Sequence, residues 1–158
     1  MNLKNPLSWL ALGFGSGLSP VAPGTAGSIF ALAIYYFFFF RNIVEWFDHL
    51  VFISFVVLSF FVGLYIYPKT VKEQNDPGSF VWDEFVGMWV ACIPLAIIDH
   101  SLQWLIIAFV LFRIFDIWKP LGIKKMDSKH GAFYVMIDDV LAGIFSGVLV
   151  IFLSYFLI

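Results

Sequence analysis

Charge is scarce in this chain. Lys, Arg, Asp and Glu make up 13% of its 158 residues, against about 25% in an ordinary soluble domain. A soluble chain this short needs far more polar surface, because small domains bury a smaller share of what they expose. The shortage also leaves no basic stripe for nucleic acid, and a net charge of −2 comes with no charged tail. Cysteine is nearly absent. The single Cys92 excludes an intramolecular disulfide. It lies in an apolar run without an activating neighbour, so it reads as a packing residue. Several chemical signatures are missing as well. The glycine-rich run near the N-terminus lacks the Gly-Lys-Ser/Thr ending of a P-loop, and no βαβ unit surrounds it. There is no Asp-x-Asp nucleophile motif, no Cys-x5-Arg loop, and no row of spaced aspartates on one helix. One lysine, Lys4, followed by a short apolar stretch that soon meets glycines and prolines, makes a poor signal peptide. The first residues are expected to remain in the mature protein.

Apolar residues are plentiful: 61% of the chain, with 20 Phe and 6 Trp, which points to an integral membrane protein with interfacial aromatics. Five apolar runs stand out, at residues 26–40, 50–67, 86–98, 102–115 and 140–158. Only the second and fifth reach the roughly 17–25 residues of a spanning helix without recruiting polar neighbours. The others are expected to carry site residues at their ends or to cross incompletely. Alternate threading puts the long segments rich in Gly, Pro and charge, 13–25, 68–84 and 113–139, on one side. The short segments 41–49 and 99–103 fall on the other. Eight basic residues lie on the rich side (Lys4, Lys69, Lys72, Arg113, Lys119, Lys124, Lys125 and Lys129) and Arg41 alone lies opposite. That bias predicts a cytoplasmic rich side. The fold class expected is all-α, with residues 1–158 forming a single polytopic membrane bundle of about five helices. Its site loops would gather on one, cytoplasmic, face.

Three segments carry candidate chemistry. The run from Gly13 to Ser28 contains Ser19, Gly24, Thr25 and Ser28. Glycines let a backbone approach an anion, a following helix presents free N–H groups, and Thr25 is placed to cap it. The same run also suits a plain turn into a membrane helix. In the second segment, Trp82-Asp83-Glu84 sets two carboxylates at the mouth of an apolar helix, with Gly87 one turn along to admit a close neighbour. A simple cap needs one acid, not two. The third segment holds Arg113, Asp116, Lys119, Asp127, Lys129 and His130, then Asp138 and Asp139 opening the last helix. Arg113 and Asp116 are three apart and share a helix face, as site residues or as a structural ion pair. Asp83, Glu84, Asp116, Asp138 and Asp139 are hard oxygen ligands suited to Mg²⁺. Arg113, Lys119, Lys129 and His130 would complement them as a phosphate clamp. His49 and His100 fall on the far side.

These blocks have a counterpart. Residues 13–28, Val81-Trp82-Asp83-Glu84, Phe112-Arg113-Ile114-Phe115-Asp116-Ile117-Trp118-Lys119-Pro120 and Ile137-Asp138-Asp139-Val140-Leu141-Ala142-Gly143 closely resemble the phosphatidylglycerophosphatase A family, in order and at its spacing. The resemblance implies an all-α protein of the cell inner membrane. It also implies Mg²⁺-dependent hydrolysis of phosphatidylglycerophosphate to phosphatidylglycerol and inorganic phosphate. The partners expected are that lipid and the membrane itself, without nucleic acid. Physical inference then makes Asp83, Glu84, Arg113, Asp116, Lys119, His130 and Asp139 the catalytic set. Ser19, Gly24, Thr25 and Ser28 join Arg113 and Lys119 in holding substrate, and Asp83, Glu84, Asp116, Asp138 and Asp139 hold the metal. The rival class is a cation-binding transporter component. A carrier, however, places ionisable groups near mid-membrane, whereas these acids fall at helix ends on one face.

Overall fold

The computed structural model describes residues 1–71, 78–98, 101–120 and 131–157. Its elements are α1 (Pro6–Ala11), a 3-10 segment (Gly13–Leu18), α2 (Pro23–Tyr35), a π turn (Tyr36–Phe40), α3 (Trp46–Thr70), α4 (Trp82–Cys92), a second 3-10 turn (Ile93–Ala96), α5 (Leu102–Trp118) and α6 (Ala132–Leu157). No strand occurs among the described residues.

Three stretches are long and apolar enough to cross a bilayer: Pro23–Phe40, Trp46–Thr70 and Ala132–Phe156. In α3 the buried positions are Phe52, Val56, Ser59, Gly63, Ile66 and Thr70, alternating steps of four and three along one stripe. The opposite side of α3 exposes Leu58 and Phe61, and α6 exposes Val148 and Phe152. Apolar residues facing outward over such lengths are the surface that lipid requires. The fold is therefore an all-α membrane bundle.

One of the shorter runs, that of α4, lies inside it. α4 and the turn after it occupy the middle, with Trp82, Phe85, Val86, Gly87, Met88, Trp89, Ala91 and Cys92 all buried. Cys92 is free, as a packing residue should be. The buried indoles find backbone acceptors on neighbouring helices. Trp82 Nε1 donates to the Ser59 carbonyl at 2.9 Å, and Trp89 Nε1 donates to the Ala31 carbonyl at 2.9 Å. α4 packs most extensively on α6. A methyl group on Gly143 would overlap the Gly87 carbonyl, and one on Gly87 would come 2.7 Å from the Asp139 carbonyl and 2.7 Å from the Phe112 ring. The two backbones touch because neither glycine has a side chain.

Alternate threading is reflected in the contacts. At one end the start of α2 meets α4 and α5, with Gly24 against the Glu84 carboxylate and Ser28 against Arg113. At the other, His49 at the start of α3 is hydrogen-bonded to the Ala96 carbonyl through Nε2 at 2.8 Å.

Two local expectations change. Thr25 does not cap α2. The helix begins at Pro23 after Ala22, which has a left-handed backbone (φ 50) and no capping side chain. Proline's fixed φ makes it the better first residue, so the helix starts earlier and Thr25 lies inside its first turn. Asp138 and Asp139 do not open α6 either. The apolar run from Ala132 to Ile137 is already helical after Gly131 (φ 121). The two acids therefore sit about two turns inside the helix.

Candidate active site

The glycine contact between α4 and α6 sets up the site. Asp83 lies four residues before Gly87, and Asp139 four before Gly143. Residues four apart share a helix face. Where the glycines let the backbones touch, the two aspartates are carried side by side one turn away. Asp83, Glu84 and Asp139 offer carboxylate oxygens that all lie within 4.8 Å of one another. Asp139 is buried, and Asp83 and Glu84 are partly so. The Glu84 N–H donates to Asp83 Oδ1 at 3.0 Å, which orients that carboxylate at the first turn of α4.

Around this cluster stand two ion pairs. Arg113 Nη1 meets Asp116 Oδ2 at 2.8 Å, the three-residue spacing on α5 bringing them together. Lys119 Nζ meets Asp138 Oδ2 at 2.6 Å. Lys119 follows the last residue of α5 with a left-handed backbone (φ 44), which turns its side chain back toward α6. Asp116 also stands beside Asp139, so the Arg113 pair borders the three acids directly.

α2 supplies the third wall. Arg113 Nη1 donates to Ser28 Oγ at 3.2 Å, and Ser28 Oγ donates to the Gly24 carbonyl at 2.8 Å. Ser28 is fully buried. In that buried position its hydroxyl meets the guanidinium directly. A methyl group at Gly24 would overlap Glu84 Oε1, so the carboxylate occupies the space that glycine leaves, while Arg113 Nη2 would be in ordinary contact at 3.5 Å. The glycine-rich run acts here by close approach as well as by turning the chain. Thr25 lines a cleft that Arg113 shares. The Ser19 hydroxyl donates to the Val21 carbonyl of its own turn at 2.8 Å, an exposed hydrogen bond. His130, with Asp127 and Lys129, lies outside the described residues, as do Asp76 and His100.

Among the described residues, three buried polar atoms in this small region have no hydrogen-bond partner: Glu84 Oε2, Asp139 Oδ2 and Arg113 Nε. Buried polar atoms are nearly always paired, so each such group calls for an explanation. Two orphan carboxylate oxygens in a cluster of three acids fit a hard divalent cation, whose preferred donors are carboxylates. An orphan guanidinium nitrogen beside them fits an anion. The arrangement can therefore hold a cation and an oxyanion next to each other, the requirement of metal-assisted phosphoryl chemistry. Of the five acids expected to bind metal, three converge as a ligand set and the other two stand at its edge, each paired with a cation.

Comparison with known proteins bears on the reaction. The sequence profile of the phosphatidylglycerophosphatase A family matches residues 9–154. Phosphatidylglycerophosphatase A of Escherichia coli is 40% identical over 158 residues, covering 98% of this chain and 87% of that protein. Its counterpart in Haemophilus influenzae is 40% identical over 161 residues, covering 100% of this chain and 94% of that protein. A Bacteroides thetaiotaomicron protein described provisionally as a phosphatidylinositol-3-phosphatase is 41% identical over 146 residues, 89% of each chain. No solved structure matches.

Proposed function

Because the chain belongs to the phosphatidylglycerophosphatase A family, and is thus a membrane phosphatase of phospholipid synthesis, we propose that it hydrolyses phosphatidylglycerophosphate to phosphatidylglycerol and inorganic phosphate. The reaction would be Mg²⁺-dependent and would take place at the cytoplasmic face of the inner membrane. The observation that carries this reading is the meeting of three carboxylates with the orphan Arg113 Nε in one half-buried site.

Asp83, Glu84 and Asp139 would hold the Mg²⁺. Bound there, the ion supplies positive charge that polarises the phosphoryl group. The remaining work belongs to the chain. Arg113 presents its fork to the phosphate, held at Nη1 by both Asp116 and Ser28. A planar guanidinium matches two phosphate oxygens at once, and held rigidly it needs no rearrangement as charge builds on them. Lys119 adds a point charge at the lip of the site. Water's oxygen forms the new bond to phosphorus and releases a proton to solvent, the bond to the glycerol oxygen breaks, and the departing oxygen takes up a proton, leaving the alcohol and hydrogen phosphate. His130 is our candidate donor, since imidazole titrates near neutrality.

The test is steady-state phosphate release by purified enzyme in detergent micelles, with and without Mg²⁺. Phosphatidylglycerophosphate and phosphatidylinositol 3-phosphate are offered in parallel. The expected outcome is release from phosphatidylglycerophosphate, abolished by chelation and restored by Mg²⁺. Equal turnover after exhaustive chelation would remove the metal from the reaction. Preference for the inositol lipid would transfer the chain to the activity described for the Bacteroides relative.

A further inference from the structure

A cleft of about 680 Å³ lies between α2 and α5, with Thr25 on one wall and Val110, Ile114, Ile117 and Trp118 on the other. Arg113 belongs to its lining, so the cleft opens directly onto the phosphate side of the site. Its volume falls in the range of small-molecule pockets. Apart from Arg113 and Thr25 its lining is apolar. The α5 residues repeat at steps of three and four, so they form one continuous face. Val110, Ile114, Ile117 and Trp118 are all exposed, so the cleft is open sideways toward lipid. α2 and α5 make few direct contacts, which leaves the cleft unfilled by the protein's own side chains.

We propose that this cleft holds one acyl chain of the phosphomonoester lipid whose phosphate Arg113 binds. The inference rests on the functional reading above and adds where the lipid part of the substrate lies. Two observations select this occupant. The first is continuity: a single side chain, Arg113, lines both the apolar cleft and the acid-lined site. A molecule that bridges them must join an anionic head to an apolar tail. The second is length. Phe109 marks the deep end and Trp118 the end of α5. Nine steps at about 1.5 Å give about 14 Å. This is close to the depth of one leaflet, half of the roughly 30 Å hydrocarbon core. Trp118, 81% exposed beside Lys119, stands where interfacial tryptophans anchor. The lipid would enter laterally, with its head never leaving the interface and its tail sliding between the two helices.

The experiment uses phosphatidylglycerophosphate with a photoreactive diazirine midway along one acyl chain. A choline phospholipid with the same diazirine serves as the comparison probe. After irradiation of the full-length enzyme in vesicles, labelled peptides are mapped by mass spectrometry. The expected result is enrichment on α5 around Val110 and Ile114 and on the start of α2, for the phosphomonoester probe only. Val110→Trp should fill the deep cleft, lower that labelling and raise KM about tenfold, the loss expected from about two methylenes of contact, with kcat little changed. Leu58→Trp, on the lipid-facing side of α3, should change neither. Identical labelling of α3 and α5 by both probes would overturn the proposal, as would a folded Val110→Trp enzyme with wild-type KM. If wild-type enzyme releases no phosphate from phosphatidylglycerophosphate, the functional reading fails by itself, and the labelling pattern still decides whether the cleft is a lipid site.

Discussion

Arg113 shows how much one side chain can be asked to do in an apolar setting. Its charge is met by Asp116, its Nη1 also donates to Ser28, and its buried Nε has no hydrogen-bond partner among the described residues. Arg113→Lys keeps the charge but loses the fork. It should lower kcat by about 10²–10³, the usual cost of removing a transition-state donor, in an enzyme whose circular dichroism is unchanged. A near-normal kcat would return Arg113 to a purely structural pairing with Asp116. Ser28→Ala tests the support separately. A hydrogen bond to a charged group contributes about 1.5–3 kcal/mol, so its loss should cost kcat about tenfold, and the double variant should then be no slower than Arg113→Lys alone. Fully additive losses would show that Ser28 does not act through Arg113. Gly24 makes the third residue-scale case. Gly24→Ala drives a methyl group into the Glu84 carboxylate, whereas a methyl group at Gly78 meets nothing nearer than Pro23 at 4.0 Å. The expected outcome is a raised Mg²⁺ requirement for Gly24→Ala and none for Gly78→Ala, read from phosphate release against Mg²⁺ concentration.

Among the elements, the crossing of α4 and α6 decides whether a site exists. Both helices carry an acid four residues before a glycine, and the glycine contact places the acids together. Gly143→Ala would push the helices apart, because the new methyl meets the Gly87 carbonyl and lies 2.9 Å from Val90 Cβ. Overpacking of this kind typically costs about 1–3 kcal/mol. The larger effect should fall on turnover, since Asp139 moves away from Asp83 and Glu84. Thermal unfolding in detergent and phosphate release measure the two losses on the same preparation. A Gly143→Ala enzyme that is destabilised yet fully active would show that the separation of these helices does not set the metal site.

At the scale of the molecule, the helix ends that build the site share one face. The start of α2, the start of α4, the end of α5 and the early turns of α6 all contribute to it. Leu18 lies next to this face and Val44 at the opposite end, both exposed. Single cysteines at these positions can be read without removing the native thiol, because Cys92 is buried. With the basic face in the cytoplasm, a membrane-impermeant maleimide applied to intact cells should label Val44→Cys and spare Leu18→Cys. Labelling of both from outside would contradict alternate threading, and the reverse pattern would invert the orientation.

Composition and spacing determined a good deal. The scarcity of charge and the apolar runs identify a helical membrane protein, because bilayer hydrocarbon admits little else. Alternation of runs places 13–25, 68–84 and 113–139 on one side, and the Arg113–Asp116 pair follows from helical period alone. Tertiary structure decided what spacing could not reach. Five acids were legible as one group, yet only packing separates Asp83, Glu84 and Asp139 from Asp116 and Asp138, which meet cations. Gly24 and Ser28 were legible as residues of the site, but only packing sets Gly24 against the Glu84 carboxylate and Ser28 against Arg113. Asp139 looked like a helix start and lies two turns inside one. The reason is common to the first two. Period and hydropathy report which face of its own helix a residue occupies, whereas ligand sets depend on which residue of another helix stands opposite, and that is fixed by close packing of side chains, glycines included, across the interface.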